Sequence, residues 1–419
     1  MSILLYRFVT ITNTDKLTTM KKKFFVIALF ISAFMFASCA TKESKEPLSN
    51  VIERGLTRSM EQALLMAKDL EGKDGRIPKT IKGDVLETSD YAWWCSGFYP
   101  GELWYLYEYK PSEELKKYAE LFTKRVEPAK NMTNTHDLGF MLYCSFGNGY
   151  RITGNPEYKD IMITGANSLA TRFNPRIGLI RSWDFNRDVW QFPVIIDNMM
   201  NLEFFMWAAR ITGDDKFKEM SLSHSDKTIE HHFRPDFSTY HVVSYDTITG
   251  QPHKKQTNQG FSDSSAWARG QTWALYGYTV MYRETANPVY LEQAKGVAKF
   301  LMNHPNMPED KVPYWDFDAE GIPNVPRDAS SAAIMASALI ELSQIDGGQF
   351  GKDCLALAEQ QIRSLSSPEY LAEKGTNCNF VLKHSTGSFP ANSEVDVPLS
   401  YADYYYVEAL LRMKKVLEN

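Results

Sequence analysis

The sequence predicts an all-α fold, an (α/α)6 toroid in which six inner helices are surrounded by six outer helices. One observation behind this prediction is a turn pattern that recurs between apolar-periodic segments. A second is the alternation of tight turns with long connections along the chain. The 419 residues are 44% hydrophobic and 13% aromatic, which supplies enough apolar side chain for one large core.

The turn pattern occurs at residues 151–158, 210–217 and 283–290, the first of which reads Arg-Ile-Thr-Gly-Asn-Pro-Glu-Tyr. In each copy, Gly or Ala followed by Asn or Asp ends one helix, and the next helix begins directly afterwards. Looser versions of the turn lie at 110–114 and 346–350. These turns predict a series of tight helical hairpins.

Apolar periodicity predicts about twelve helices, at residues 51–70, 97–109, 112–127, 137–152, 156–171, 193–210, 214–232, 265–283, 287–303, 328–343, 349–367 and 400–416. The connections 172–192, 233–264, 304–327 and 368–399 are long. Because antiparallel helices place alternate connections at opposite ends, the long loops share one rim, above the N-termini of the aromatic-rich even-numbered helices. We expect these helices to form the inner ring and the site to lie at this mouth, where helix N-termini favour an anionic ligand.

The N-terminal segment has the features of an export signal. Lysines at 21–23 precede a short apolar run, 24–36, and two small residues come directly before Cys39. This arrangement resembles the bacterial lipobox, in which the cysteine becomes the lipidated first residue of the mature protein. Met20 is an alternative start, and translation of residues 1–19 is left open, as is an ordinary cleaved signal.

The chain therefore divides into a leader, 1–39, a polar tether, 40–50, and one catalytic domain, 51–419. We expect an exported, periplasmic protein that is held on a bacterial membrane by a lipid anchor, in a leaflet that the sequence does not specify. The formal net charge of −5, without long runs of one sign, argues against a nucleic-acid partner. The remaining cysteines show no Cys-x-x-Cys spacing, which argues against a zinc or redox site and predicts buried free thiols at Cys95, Cys144, Cys354 and Cys378.

Two aspartates stand out among the polar residues at the predicted starts of inner helices. Asp197 follows Pro-Val-Ile-Ile and precedes Asn-Met-Met, and such an apolar setting raises a carboxyl pKa and keeps the group protonated as a general acid. Asp137 begins the preceding inner helix, and two carboxyls that face one pocket push one pKa upward. Helix capping is the alternative role for both residues.

Three motifs then identify a family. They are His-Asp-Leu-Gly-Phe at 136–140, Asp-Asn-Met-Met-Asn at 197–201 and Ala-Trp-Ala-Arg-Gly-Gln-Thr-Trp at 266–273. In order and spacing they resemble the unsaturated glucuronyl hydrolases of glycoside hydrolase family 88, over nearly the whole chain after residue 50. The resemblance implies a toroid without metal or cofactor. It also implies an enzyme that removes 4,5-unsaturated glucuronic acid from the non-reducing end of lyase-generated, glycosaminoglycan-type oligosaccharides, by hydration of the C4=C5 double bond.

The resemblance also assigns roles. Asp197 matches the general acid/base and Asp137 the second essential carboxylate. The residues matching the sugar subsite are Trp94, Trp183, His241, Gln259, Arg269 and Trp273, of which Trp183 rests only on a local Arg-Ser-Trp-Asp match. In this interpretation Trp94 and Trp273 offer stacking faces. Arg269 pairs with the substrate carboxylate, and His241 and Gln259 bond to carboxylate or hydroxyl groups.

Several alternatives stay open at the level of sequence. Lys383, Ser385 and Ser388 are either a sulfate-binding group or part of a polar loop. An unsaturated rhamnogalacturonyl hydrolase acting on pectin fragments shares the toroid and the chemistry. A glycan-binding lipoprotein without catalytic activity also accounts for the leader and the aromatic residues. The polysaccharide, its linkage, the tolerance of sulfate and the oligomeric state are not specified.

Overall fold

The computed structural model describes residues 45–419, and within them twelve helices follow one another as hairpins. Two of these helices are composite, because α4 begins with π-helical turns and α6 with a 3-10 segment. The helices are α1 (Leu48–Leu70), α2 (Phe98–Tyr109), α3 (Glu113–Val126), α4 (Gly139–Gly147 continued by Asn148–Thr153), α5 (Pro156–Ala170), α6 (Ile196–Asn201 continued by Leu202–Thr212), α7 (Lys216–His232), α8 (Ala268–Thr285), α9 (Pro288–Asn303), α10 (Ala329–Ile345), α11 (Gln349–Leu365) and α12 (Ser400–Glu418). Their number and order are as predicted.

The even-numbered helices form a closed inner ring. Each contacts the next, from α2 through α4, α6, α8 and α10 to α12, and α12 contacts α2 again. Helix α8 is buried without interruption from Ala268 to Met281, as expected of a helix with neighbours on every side. Outer helix α11 instead buries one stripe, which includes Cys354, Leu357 and Gln361. The predicted (α/α)6 toroid is therefore confirmed.

The tight turns of one rim have the backbone that the sequence pattern predicts. Helices α4 and α6 end at Gly154 and Gly213, which have φ angles of 69° and 71°. Helix α8 ends at Ala286 with φ 54°, a left-handed conformation that is unfavourable for a residue with a Cβ atom. A side chain then caps the start of the next helix. At α5, for example, the Asn155 side chain accepts a hydrogen bond from the backbone N–H of Glu157 at 3.0 Å.

The opposite rim carries the long loops, which contain four small antiparallel sheets. Their strands are β1 (Ile77–Lys82) with β2 (Val85–Ser89), β3 (Phe173–Asn174) with β4 (Leu179–Ile180), β5 (Pro193–Ile195) with β6 (Val242–Tyr245) and β7 (Pro252–Gln256), and β8 (Ser385–Ser388) with β9 (Ser393–Val397). These hairpins stand over the N-termini of the inner helices and build the walls of the site.

The predicted start of the sixth helix is wrong. Residues 193–195 were assigned to the sixth helix, but they form strand β5, in which Val194 pairs with Val243. The helix begins only at Ile196. A short, continuous apolar run has no period that separates a buried strand from a buried helix, and pairing with the distant β6 decides the outcome. Residue 197 therefore lies one residue into the helix, next to the sheet.

The N-terminal predictions fall mostly outside the described residues. The leader, Cys39 and residues 40–44 of the tether lie there, whereas α1 begins at Leu48 and takes up the last residues assigned to the tether. Residues 48–419 form one compact unit. Among the helices of residues 45–419, none is long and apolar enough to cross a membrane.

The described cysteines are free thiols. Cys95, Cys144 and Cys354 are buried, as predicted. Cys378 is only half-buried, contrary to the prediction, because it lies in the loop before β8, where its Sγ approaches the carbonyl oxygen of Asp84 at 3.4 Å.

Candidate active site

A cavity of about 520 Å³ opens at the long-loop rim, above the N-termini of the inner helices. Its size is ordinary for a small-molecule site. Six of the eight predicted site residues line it, namely Trp94, Asp137, Trp183, Asp197, Gln259 and Arg269. The other two predicted residues, His241 and Trp273, lie behind the lining. The loops and inner helices thus bring together residues that are up to 175 positions apart in the chain.

Asp197 lies where strand β5 passes into helix α6, and its residue surface is only 8% exposed. Its Oδ2 atom has no hydrogen-bond partner in the protein. Burial raises the pKa of Asp197 from 3.8 to about 6, and the nearby Asp137 carboxylate adds to this rise. His136 and Arg269 act in the opposite direction but do not cancel the effect of burial. The side chain makes no cap on its own helix, so the capping alternative is wrong for Asp197.

Asp137 lies at the entrance to α4 and faces the same cavity. Its Oδ2 accepts a hydrogen bond from Thr135 Oγ1 at 2.6 Å, and its Oδ1 lies 3.2 Å from His136 Nε2. It does not cap α4, whose start has no side-chain cap. With one oxygen bound to a hydroxyl and the other beside an imidazole, Asp137 is held as an acceptor next to the protonatable Asp197.

His241 lies directly before β6 and holds the loop that contains Asn258 and Gln259. Its Nδ1 accepts hydrogen bonds from the backbone N–H groups of Asn258 and Gln259, both at 3.1 Å. Burial lowers the pKa of His241 to about 3, so the ring is neutral and its proton lies on Nε2. That Nε2 is 3.8 Å from Oδ2 of Asp197. His241 is therefore an N–H donor aimed at the general-acid candidate.

Arg269 is more enclosed than a simple substrate clamp. Only 1% of its side chain is exposed, and Nη1 lies 2.9 Å from Oδ2 of Asp328, whose side chain is fully buried. The guanidinium also donates to the carbonyl oxygens of Thr386 and Gly387, each at 2.6 Å. Gln259 Nε2 donates to the same Gly387 oxygen at 3.0 Å. Arg269 and Gln259 thus fix strand β8 as one wall of the cavity.

The predicted aromatic residues differ in their access to the cavity. Trp94 is half-buried and lies 4.8 Å from the ring of Tyr401, and Trp183 stacks on Phe185 at 4.8 Å with an interplanar angle of 11°. Trp273 was predicted to offer a stacking face, but it is fully buried. It lies one helical turn beyond Arg269 and packs against Phe140 at 5.1 Å, below the floor of the cavity. It supports the site from beneath.

Sequence reasoning missed part of the lining. Tyr401, at the start of α12, has a buried hydroxyl without a protein partner, and Glu394 on β9 lies 3.4 Å from Lys79. Glu394 has a positive φ of 56° and lies against Gly387, where a Cβ atom would be only 2.4 Å from its Oε2. No local sequence pattern indicates that a carboxylate on a hairpin, such as Glu394, lines a pocket. For Tyr401 a signal was available, because the polar and aromatic cluster Tyr401-Ala-Asp-Tyr lies at the start of an inner helix.

The proposed sulfate-binding group is only partly present in the cavity. Ser388 lines it. Ser385 is fully buried, and its hydroxyl has no protein partner. Lys383 does not belong to the lining, because its Nζ donates to the carbonyl oxygen of Pro368 at 2.8 Å. Within residues 45–419, no group of three or more His, Cys, Asp or Glu side chains is placed to hold a metal ion.

Known proteins resemble this chain in both sequence and structure. The model of Glycosyl Hydrolase Family 88 matches residues 72–367. A protein of Formosa agariphila named unsaturated glucuronyl hydrolase is 42% identical over 403 residues, which are 95% of this chain and 100% of that protein. An unsaturated chondroitin disaccharide hydrolase of Streptococcus pneumoniae is 32% identical over 378 residues, which are 89% of this chain and 93% of the relative.

The solved structures agree with the sequence relatives. A crystal structure described as an unsaturated glucuronyl hydrolase specific for heparin superposes with a TM-score of 0.83 at 43% identity, covering 88% of this chain and 98% of the other.

Proposed function

The chain belongs to glycosyl hydrolase family 88 and is a glycoside hydrolase, and we propose that it removes 4,5-unsaturated glucuronic acid from the non-reducing end of glycosaminoglycan fragments. The relatives that it resembles along almost their whole length are named for this substrate class. The unsaturated oligosaccharide is the binding partner that this family assignment implies. A binder without catalytic activity is not supported, since the relatives are named hydrolases.

The proposed chemistry rests mainly on Asp197, which is buried in the cavity with a pKa of about 6 and whose Oδ2 has no hydrogen-bond partner in the protein. A carboxyl of this kind is protonated in an appreciable fraction of molecules near neutral pH. It also becomes a competent base once its proton has left. Burial is the main cause of the raised Asp197 pKa, and the negative charge of Asp137, whose oxygens are engaged by Thr135 and His136, adds to it.

The reaction proceeds by addition of water. Protonated Asp197 delivers its proton to C4 of the unsaturated ring, and positive charge develops at C5 beside the ring oxygen. A water molecule attacks C5 while the Asp197 carboxylate takes one of its protons, which regenerates the acid. The C5 hemiketal opens to a ketone, and the hemiacetal left at C1 then expels the neighbouring saccharide as an aldehyde forms. No glycosidic carbon is attacked, so the spacing of the two carboxyls does not report retention or inversion.

The remaining lining residues hold the sugar in place. Trp94 presents aromatic surface to the ring and is backed by the buried ring of Tyr401, and the neutral His241 directs its Nε2–H towards Asp197. Arg269 brings positive charge to the cavity wall, although its two carbonyl contacts and Asp328 already occupy several of its N–H donors. The N-termini of the inner helices add positive potential for the uronate.

The test is the loss of ultraviolet absorbance of the C4=C5 double bond. Unsaturated disaccharides from chondroitin, hyaluronan, heparin and pectin are compared side by side with the wild type, with Asp197→Asn, and with Asp353→Asn as a control on outer helix α11. We expect turnover of at least one glycosaminoglycan disaccharide by the wild type and the control, and none by Asp197→Asn. Turnover of the pectin disaccharide alone would instead establish the rhamnogalacturonyl alternative, and substantial turnover by Asp197→Asn would refute the assignment of the acid.

We further propose that the protein is exported to the periplasm and held on the membrane by a lipid on Cys39. The support is the order of the leader, with its lysines, short apolar run and small residues before the cysteine. Labelling cells with a fatty acid and fractionating their membranes tests this: the wild type should carry label and sediment with membranes, and Cys39→Ala should do neither. A labelled Cys39→Ala variant would contradict the proposal.

A further inference from the structure

The wall of the cavity continues into an aromatic surface outside it. Ser388 and Gln259 both line the cavity, and their segments are joined where Gln259 Nε2 donates to the Gly387 carbonyl oxygen. One residue beyond Ser388 is Phe389, and two beyond Gln259 is Phe261. Both phenylalanines are exposed, at 41% and 45%, in a protein whose other large aromatic side chains are mostly buried.

The two phenylalanines meet on one buried ring. Phe389 stacks on Trp315 with ring centroids 4.5 Å apart and an interplanar angle of 18°, and Phe261 meets the same tryptophan edge-on at 6.5 Å. Because Trp315 covers one face of Phe389, the ring's other face is the part that solvent reaches. We call Phe261, Trp315 and Phe389 the aromatic platform.

The platform is rigidly built. Trp315 is only 2% exposed, its backbone N–H donates to the Pro326 carbonyl at 3.1 Å, and its own carbonyl accepts from Ala268 at 3.2 Å. The backbone N–H of Phe261 donates to Oδ2 of Asp316 at 2.9 Å. An exposed aromatic face held in this way loses little conformational entropy when a ligand packs on it. Exposed apolar surface beside a binding cavity is also a common mark of an extended site.

We propose that the aromatic platform is a further saccharide subsite, which binds a pyranose ring of the leaving chain beyond the unit directly attached to the unsaturated uronate. This inference rests on the proposed function and extends it from disaccharides to longer unsaturated oligosaccharides. We infer a saccharide because the platform is continuous with the cavity wall. An oligosaccharide whose terminal uronate lies at Asp197 leaves through the mouth of the cavity, and one wall of that mouth passes through Ser388 to Phe389. The apolar faces of pyranose rings pack on flat aromatic rings.

The platform differs from Phe185, the other stacked phenylalanine at the mouth. Phe185 belongs to the lining of the cavity itself, next to Trp183. Its loss should therefore affect substrates of every length. The loss of Phe389 or Phe261 should affect only substrates long enough to reach past Ser388.

The experiment compares the best unsaturated disaccharide with the unsaturated tetrasaccharide of the same polymer. KM and kcat are measured for the wild type, Phe389→Ala, Phe261→Ala and Phe389→Tyr, with Ile248→Ala as a control that removes a 77% exposed apolar side chain from the loop between β6 and β7. We expect Phe389→Ala to raise the tetrasaccharide KM about three- to tenfold, with the disaccharide KM within about twofold of the wild type. Phe389→Tyr keeps the ring and should restore the tetrasaccharide KM, and Ile248→Ala should change neither.

Three results would overturn the inference while leaving the proposed function in place. The first is a wild type that processes the disaccharide but not the tetrasaccharide, and the second is an unchanged tetrasaccharide KM in the alanine variants. The third is an equal rise of KM for both substrates, which a purely structural role of the phenylalanines predicts. Failure of the wild type on every unsaturated disaccharide would instead refute the proposed function, and the subsite would fall with it.

Discussion

Replacement of Asp197 by Asn should abolish turnover and at the same time stabilise the fold, and the size of the gain follows from burial. A carboxyl whose pKa rises from 3.8 in the unfolded chain to about 6 in the folded protein disfavours folding once it is charged. The penalty is absent below pH 3.8, grows between pH 3.8 and 6, and is constant above, where it amounts to about 3 kcal/mol. Asn has the shape of the protonated acid and carries no charge at any pH. Since Oδ2 of Asp197 has no partner in the protein, the substitution breaks no hydrogen bond there.

The assay is thermal unfolding of the wild type and Asp197→Asn at a series of pH values. For a domain of this size, about 3 kcal/mol corresponds to a gain in Tm of about 4 °C at pH 7.5. At pH 4 the wild-type carboxyl is almost fully protonated in the folded protein and partly so in the unfolded chain, and the gain should shrink to about 0.5 kcal/mol. A variant that is less stable at pH 7.5, or a gain that does not change with pH, would refute the conclusion that a charged Asp197 is held in an unfavourable environment.

Three further predictions follow from neighbouring contacts. Asp137→Asn removes a negative charge that raises the Asp197 pKa. In the residual activity of this variant, the alkaline limb of the pH profile of kcat/KM, which lies near pH 6 in the wild type, should therefore move to lower pH. An unmoved limb would show that the two carboxyls do not interact. Asp328→Ala leaves the Arg269 charge buried without its partner and should lower the free energy of unfolding, measured in urea, by about 3–5 kcal/mol. Glu108→Ala breaks the exposed pair with Arg151 and should lower it by about 1 kcal/mol or less. Equal losses in the two variants would contradict the prediction that the buried pair matters more. Ala286→Gly relieves a left-handed alanine and should raise the free energy of unfolding by about 1 kcal/mol in the same assay, and a destabilised variant would show that the turn is not strained.

The helical part of the fold could be predicted because its signals are local. Gly154 and Gly213 end their helices, Asn155 caps the next one, and the apolar stripes repeat with the helical period. The inner ring followed from the alternation of turn lengths. Strand β5 could not be recognised in this way, because its partner β6 lies about fifty residues further along the chain, and no local pattern encodes their pairing.

The site was predictable where a residue's own sequence neighbourhood determines its surroundings. Asp197 is surrounded by apolar residues in the sequence, and burial does raise its pKa in the structure. The contacts of Arg269 are different, because Asp328 and Gly387 are distant in sequence and only the closed ring brings them to the guanidinium. Trp273 was misplaced for the same reason: whether a tryptophan on an inner helix faces the cavity or the core below it depends on its depth in the ring, which periodicity does not give.

The central claim, that Asp197 catalyses addition of water across the C4=C5 bond, is tested most directly by following the reaction in D2O by proton NMR. We expect the vinyl proton signal at C4 to disappear at the rate at which the neighbouring saccharide is released, and one deuteron to enter C4 in a single configuration. With Asp197→Asn we expect neither loss of the vinyl signal nor incorporation of deuterium. Release of the saccharide while the vinyl signal persists would mean that the glycosidic bond is cleaved directly, and that Asp197 does not act by hydration of the double bond.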